Sequence, residues 1–239
     1  MKVLVLGLGV QNIDVARVLA EQGAEVFASE LGDVPSHVRE LLVDVEIESG
    51  GHERARAMLD SFDLVVPSPG IPPHQGLLPE ILDRGLEIRS ELEVAQRMTD
   101  ATIVAVTGTN GKTTVCRLAE RIGRAAGIET YACGNTETPF VTAVDLHPKA
   151  GAFVVEASSF RLAFADTFHP RVAIITNLAP DHLDWHRTFE HYRASKAKIT
   201  ARQTDGDLFL YPSSQPELKD LAPADGPLRV AFDARSIAE

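Results

Sequence analysis

Short runs of apolar, β-branched residues alternate along this chain with stretches whose apolar positions recur every three or four residues, and glycine stands at many of the joints. A continuous apolar run marks a strand buried on both faces, and a 3.6-residue recurrence marks an amphipathic helix. Lys2 to Leu6 is the first such run. Gly7-Leu8-Gly9 follows it, and Ile13 to Glu21 carries helical spacing that stops at Gly23. Ala24 to Ala28 supplies a second strand, so the chain opens as a βαβ unit. Val45 to Glu48 predicts a strand leading into Gly50-Gly51-His52. Leu64 to Val66 predicts another, leading into the rigid segment Pro67-Ser68-Pro69-Gly70-Ile71-Pro72-Pro73. Leu77 to Arg84 and Leu92 to Met98 read as helices, with Ile88 between them near a strand. The composition shifts at Thr99-Asp100, which places a boundary near residues 95–101 and divides the chain into domains 1–97 and 98–239.

The second half repeats the alternation. Strands are expected at Thr102 to Val106, Thr130 to Cys133, Ala152 to Val155, Val172 to Thr176, Asp207 to Tyr211 and Leu228 to Phe232. Helices are expected at Thr113 to Ala126, stopped by Gly127, and at Phe189 to Ala201. Between the last two strands the chain is rich in proline, serine and aspartate. The fold class is therefore α/β, with a Rossmann-like N-terminal domain followed by a P-loop-type α/β domain whose sheet is mostly parallel.

Composition narrows the picture. With 239 residues, 44% hydrophobic and 24% charged, the chain is an ordinary soluble globular protein with ample core. A net charge of −11 argues against broad nucleic-acid binding, although a local glycine loop can still hold phosphate. Cys116 and Cys133 have neither metal nor thioredoxin spacing and read as buried, reduced thiols of a cytoplasmic protein. The apolar run at the N-terminus is too short to span a membrane and lacks a small-residue cleavage site, so a buried strand is expected.

The chemistry concentrates at strand ends. Gly108-Thr109-Asn110-Gly111 joins a strand to a helix opened by Lys112-Thr113-Thr114. Glycines let backbone N–H groups crowd a phosphate, the helix amino end adds positive potential, and lysine and a threonine hydroxyl can reach the outer phosphates and Mg²⁺. Val106 stands where the full Walker A spacing needs glycine, so only the shorter GxxGK[ST] form is present. Glu156 ends a strand downstream of this loop, where a Mg²⁺-linked carboxylate belongs; a capping or salt-bridged glutamate is the alternative. Asn177 to His186 packs two acids of the Asp181/Asp184 kind, His182, His186 and an asparagine just past a strand end. Such donors suit Mg²⁺ better than zinc, and a solvated polar loop is the other reading. Lys196 and Lys198 lie two residues apart on different helix faces, and spacing alone makes both surface lysines. In the first domain, Gly7-Leu8-Gly9 is a partial dinucleotide fingerprint with Asn12 in place of the third glycine, and Ser29-Glu30 end the second strand near a ribose-binding position. A nicotinamide cofactor and another nucleotide both remain open there, while His52 alone reads as a surface or capping residue.

Taken together, GTNGKTT (108–114), VEASSF (155–160), TNLAPDHLDWH (176–186) and YRASKAKI (192–199) resemble the Mur ligase family in order and spacing. VLGLGV (5–10), GGH (50–52), PSPGIP (67–72), SELEVA (90–95) and CGNTETP (133–139) resemble its D-glutamate-adding branch, and the resemblance covers the whole chain. It implies an ATP-dependent amide ligase of peptidoglycan synthesis, working in the cytoplasm with Mg²⁺. The γ-phosphate of ATP passes to the carboxylate of UDP-N-acetylmuramoyl-L-alanine, and the amine of D-glutamate displaces phosphate from the acyl phosphate. By the family pattern Lys112 and residues 108–111 hold the phosphates, and Thr113 ligates the first Mg²⁺. Glu156 and His182 are second-metal residues, and Lys196 is the lysine the family carbamylates with CO₂. Asn135 and Ser158 match positions that contact the muramoyl substrate. Val10-Gln11-Asn12, Ser29-Glu30 and Ser68-Pro69-Gly70 correspond to the UDP-holding surface.

Four residues depart from the pattern: Gln11 and Asn12 crowd the diphosphate loop, Glu137 replaces a glycine beside Asn135, and Arg161 stands where glutamine is usual. Family members continue past this chain's last residue, completing the central sheet and adding a domain that closes over ATP and binds the amino acid. The resemblance thus implies an incomplete central ATP-binding domain and little or no turnover by this chain alone; a fragment, a truncated gene product and a degraded paralogue all stay open, as does a partner that supplies the remainder. Competing readings are a non-catalytic UDP-sugar or ATP-binding relative, a nicotinamide oxidoreductase resting on Gly7-Leu8-Gly9, and a sister ligase for another amino acid.

Overall fold

The computed structural model describes residues 1–135 and 138–233, so the departure at Glu137 lies outside the described residues. Two compact units are present, Met1–Ala95 and Gln96–Glu239. In the first, β1 (Lys2–Leu6), α1 (Val10–Glu21), β2 (Glu25–Glu30), α2 (Ser36–Leu41), β3 (Glu46–Ser49), α3 (Glu53–Ala57), β4 (Leu64–Pro67), α4 (Leu78–Asp83) and α5 (Glu91–Gln96) follow in order, α5 running to the boundary. The sheet order is β3-β2-β1-β4, and all three pairings are parallel. Val3, Leu4, Val5 and Leu6 have no exposed surface, as expected of a central strand covered on both faces. Successive strands spread to one side of β1 and the chain then crosses to β4 on the other. This switch point lies between the carboxyl ends of β1 and β4, where open α/β sheets bind ligands. Ile88 contributes only an isolated parallel bridge to Val65.

The second unit contains β5 (Thr102–Thr107), α6 (Lys112–Ala125), β6 (Thr130–Gly134), α7 (Phe140–Leu146), β7 (Ala152–Glu156), α8 (Ser159–Ala163), β8 (Val172–Ile175), α9 (Leu183–His186), α10 (Phe189–Ala197), β9 (Leu208–Pro212) and β10 (Leu228–Phe232). Its strands run β10-β9-β8-β5-β7-β6, and every pairing is parallel, so the sheet is more regular than the mostly parallel one expected. Helix α6 follows the glycine turn and lays Val115, Cys116 and Ala119 over Val104, Val106 and Val154. Burial pushes the Cys116 thiol up to about 12, so it packs as a small inert hydrophobe. Gly127, at φ +78°, ends the helix by turning the chain back toward the Gly123 carbonyl. The outer edge of β6 is covered by the same helix: Ala132 N–H donates to Glu120 Oε1 (3.0 Å) and Arg124 Nε donates to the Thr130 carbonyl (2.8 Å). These bonds occupy polar groups that an exposed edge would offer to another strand.

One boundary needs correction, and one alternative reading is resolved. The helix predicted over 189–201 ends at Ala197, because the next amides bond three residues back (Ile199 to Lys196, Thr200 to Ala197) and tighten the chain into turns. The polar run after β8 is not all loop. Trp185 and His186 are buried against Phe160, and that packing draws Leu183–His186 into a helical turn. No helix among the described residues is long and apolar enough to cross a membrane.

Candidate active site

The phosphate loop is shaped by two glycines. Gly108 has φ +144°, and a Cβ there would sit 1.9 Å from Thr176 Oγ1; Gly111 has φ +81° immediately before α6. Only glycine suits these positions. The loop is pinned to the segment after β8. Thr109 N–H donates to the Asn177 carbonyl (3.0 Å) and Asn110 N–H to Asn177 Oδ1 (3.0 Å), while Thr176 Oγ1 donates to the Asn110 carbonyl (2.6 Å). Lys112 arches back, with Nζ donating to the carbonyls of Gly108 (3.1 Å) and Thr109 (2.9 Å). Thr114, one residue further along α6, is exposed.

Residues from distant segments meet at this loop. Thr113 Oγ1 donates to Glu156 Oε2 at 2.7 Å, bringing the helix start to the buried end of β7. Lys196 is only 2% exposed, against the expectation of a surface lysine from spacing alone. Its Nζ donates to the Gly108 carbonyl (2.8 Å) and to Thr107 Oγ1 (3.2 Å), and lies 4.7 Å from the Tyr192 ring centre. Burial, and then the neighbouring Lys112 charge, lower its pKa from 10.5 to about 7. His182 adopts a left-handed backbone (φ +50°) and packs its ring on Phe160 at 4.7 Å. It is exposed, unlike Glu156 and Lys196. Asn135 is tied through its N–H to the Glu156 carbonyl (3.1 Å), and Ser158 caps α8 by accepting from Arg161 N–H (3.4 Å). Arg161 is buried, and its guanidinium donates to the Gly134 carbonyl (3.2 Å).

The donor chemistry fits Mg²⁺. A hydroxyl and a carboxylate in contact are hard oxygen ligands, and Mg²⁺ is ordinarily held by one or two protein groups together with phosphates. Among the described residues there is no group of three or more His, Cys, Asp and Glu that could hold a metal by itself. The Lys196 ammonium does not fit as a ligand in that form.

Sequence reasoning passed over Tyr192. Its hydroxyl lies 3.0 Å from Thr109 Oγ1, which already accepts from Ala179 N–H and donates to the Ala179 carbonyl, so Tyr192 is the donor. Its place four residues before Lys196, on the same helix face, was the available signal.

The first unit carries a separate crevice of about 270 Å³ at its switch point, lined by Gly7, Gly9, Glu30, His52, Ser68 and Gly70 among others. Glu30 accepts from Leu8 N–H (2.6 Å) and Gly32 N–H (3.0 Å), bracing the glycine loop against the end of β2. Ser29 is buried; its hydroxyl bonds Glu48 Oε2 (2.9 Å) and lies 2.7 Å from His52 Nδ1. His52 is thus oriented from below and is a lining residue. Val10 is exposed at the start of α1, whereas Asn12 is fully buried, so it does not crowd the loop from the ligand side. Ser68 and Gly70 line the opposite wall, with Pro69 between them.

Comparison with known proteins gives a consistent answer. Residues 106–236 match the profile of the Mur ligase middle domain, and residues 1–90 that of the Mur ligase MurD-like N-terminal domain. The UDP-N-acetylmuramoylalanine–D-glutamate ligase of Alkaliphilus metalliredigens is 38% identical over 212 residues, covering 85% of this chain and 46% of the relative. That of Pelotomaculum thermopropionicum is 40% identical over 210 residues, covering 86% and 46%. The chain therefore spans about half the length of the curated relatives it matches. The crystal structure of UDP-N-acetylmuramate:L-alanyl-gamma-D-glutamyl-meso-diaminopimelate ligase from Neisseria meningitides shares the fold, with TM-score 0.60 at 18% identity over 95% of this chain and 77% of that one. A murein peptide ligase from Psychrobacter arcticus does likewise (TM-score 0.56, 21% identity, 98% and 53% covered).

Proposed function

This chain belongs to the Mur ligase family, and on that premise we propose that it forms the UDP-substrate-holding and ATP-holding part of a ligase that joins D-glutamate to UDP-N-acetylmuramoyl-L-alanine. The observation that carries the reading is the meeting of Thr113, Glu156 and Lys196, from three separate segments, on one phosphate loop. A carboxylate must approach a triphosphate, so the site has to hold positive charge and fix both reactants.

In this reading Lys112 and the N–H groups of 108–111 hold the ATP phosphates. Thr113 and Glu156 hold Mg²⁺, with His182 and a carbamylated Lys196 serving a second ion. Mg²⁺ held there would neutralise phosphate charge, while Lys112 and the 108–111 backbone would align the γ-phosphoryl group with the muramoyl-alanine carboxylate. Carbamylation requires a neutral amine: its nitrogen bonds to the carbon of CO₂ and releases a proton, leaving an anionic oxygen donor. A pKa of about 7 keeps roughly half of Lys196 neutral at pH 7, against about one part in 3,000 at 10.5. Asn135 and Ser158 border the muramoyl end. Val10, Gln11, Glu30, Ser68, Pro69 and Gly70 offer the UDP surface, with Asn12 and Ser29 acting from beneath it. The cytoplasm, where ATP and the UDP-sugar are found, is the expected location.

Calorimetry on this chain tests the reading. It should bind ATP with Mg²⁺ and, separately, UDP-N-acetylmuramoyl-L-alanine. Phosphate release from ATP should require both UDP-N-acetylmuramoyl-L-alanine and D-glutamate. Binding of NADH in place of the UDP-sugar would refute it.

A further inference from the structure

We propose that Asn12 is a positioning residue that sets the width of the crevice in the first unit. It does by hydrogen bonding what the third glycine of a dinucleotide loop does by being small. The proposal rests on the reading that this crevice takes a nucleoside diphosphate.

Asn12 has no exposed surface. Its Nδ2 donates to the carbonyls of Gly7 (3.0 Å), Val66 (3.2 Å) and Leu6 (3.4 Å). The amide orientation follows from its partners, because exchanging nitrogen and oxygen would turn the oxygen toward three carbonyl oxygens. Leu6 and Gly7 are the root of one crevice wall, and Val66 is the root of the other. The walls meet at the base, where Ser68 N–H donates to the Leu6 carbonyl at 2.7 Å. There is no slack between them: a Cβ on Gly7 would approach Ile71 Cδ1 to 2.9 Å and Ser68 Cβ to 3.0 Å, and one on Gly9 would approach Ser68 Oγ to 3.0 Å. A glycine at position 12 lets a helix approach its strand closely. Here a side chain fills that space and bonds both walls from below, so the loop that would receive a diphosphate is fixed relative to Ser68 and Gly70. Asn12 itself touches no ligand.

The test is calorimetric titration of the chain with UDP, using ATP and Mg²⁺ at the phosphate loop as an internal control. Asn12→Asp keeps the shape and removes the amide donors; Asn12→Gly removes the whole side-chain tie and leaves only the backbone bond from Ser68 to Leu6. Both should weaken UDP binding roughly tenfold or more, the scale of losing buried hydrogen bonds, and leave ATP binding unchanged. A folded Asn12→Gly chain that binds UDP like the wild type overturns the proposal, and this variant decides the matter if Asn12→Asp does not fold. NMR supplies a readout that needs no ligand. In Asn12→Gly the backbone amides of Gly7, Gly9, Ser68 and Gly70 should shift together, and changes confined to α1 overturn the proposal. If the wild type fails to bind UDP, the nucleotide reading falls while the tie between the walls is still judged by those shifts.

Discussion

Replacing Lys196 by methionine removes a buried ammonium while keeping most of its volume. In the folded chain burial and the Lys112 charge lower the Lys196 pKa from 10.5 to about 7. Between those two values the unfolded chain holds a proton that the folded chain has released, so stability rises with pH across this window. Below pH 7 both states are protonated and the cost of burying the charge is fully felt, of the order of 4–5 kcal/mol. Between pH 6 and pH 9 the wild type should therefore gain roughly 2–3 kcal/mol relative to Lys196→Met, whose other titrating groups are shared. At pH 7 the variant escapes most of the cost but loses two hydrogen bonds, about 1 kcal/mol each, and the contact with Tyr192. It should be about 1–2 kcal/mol more stable than the wild type there. Urea unfolding of both proteins at pH 6 and pH 9 in CO₂-free buffer measures the difference, since CO₂ would convert the amine. A wild-type-minus-variant difference that stays flat within about 0.5 kcal/mol would mean that Lys196 titrates as an ordinary lysine, and the argument for its neutral amine would fail.

Other perturbations read out separate parts of the site. Gly134 sits at φ +113°, paired with Glu156, and an added Cβ would lie 2.5 Å from the Glu156 carbonyl oxygen. Gly134→Ala should cost about 3 kcal/mol or more by backbone strain and overpacking, seen as a lower urea midpoint, and a loss below about 0.5 kcal/mol would contradict the geometry. Arg187 is exposed with φ +64° and ψ −39°, a conformation that strains any residue but glycine. Arg187→Gly should relieve about 1–3 kcal/mol of strain and give back about 0.5–1 kcal/mol in chain entropy, raising Tm slightly. A lower Tm would show that the arginine side chain holds that corner.

The strands were legible because a parallel sheet covered on both faces demands unbroken apolar runs, as at Lys2–Leu6 and Ala152–Glu156. The phosphate loop was legible because its backbone demands glycine at 108 and 111. What depended on distant partners was not. Nothing local to Lys196 says which helix face is buried; that is decided by Thr107 and Gly108, 89 and 88 residues away. The helical turn at Leu183–His186 likewise depends on Phe160. Asn12 looked like an obstruction in the loop, and only the carbonyls of Leu6, Gly7 and Val66 turn it into a tie. Short helices such as Phe140–Leu146 were missed because a single apolar stretch of that length does not establish a period.

The whole proposed reading turns on residues 108–113 forming an ATP site completed by Mg²⁺ and by Glu156. Calorimetric titration of the chain with ATP, with and without Mg²⁺ and in Lys112→Ala and Thr113→Val, tests it most directly. Binding should depend on Mg²⁺ and weaken at least tenfold in either variant. ATP binding indifferent to Mg²⁺ and to both substitutions would contradict it.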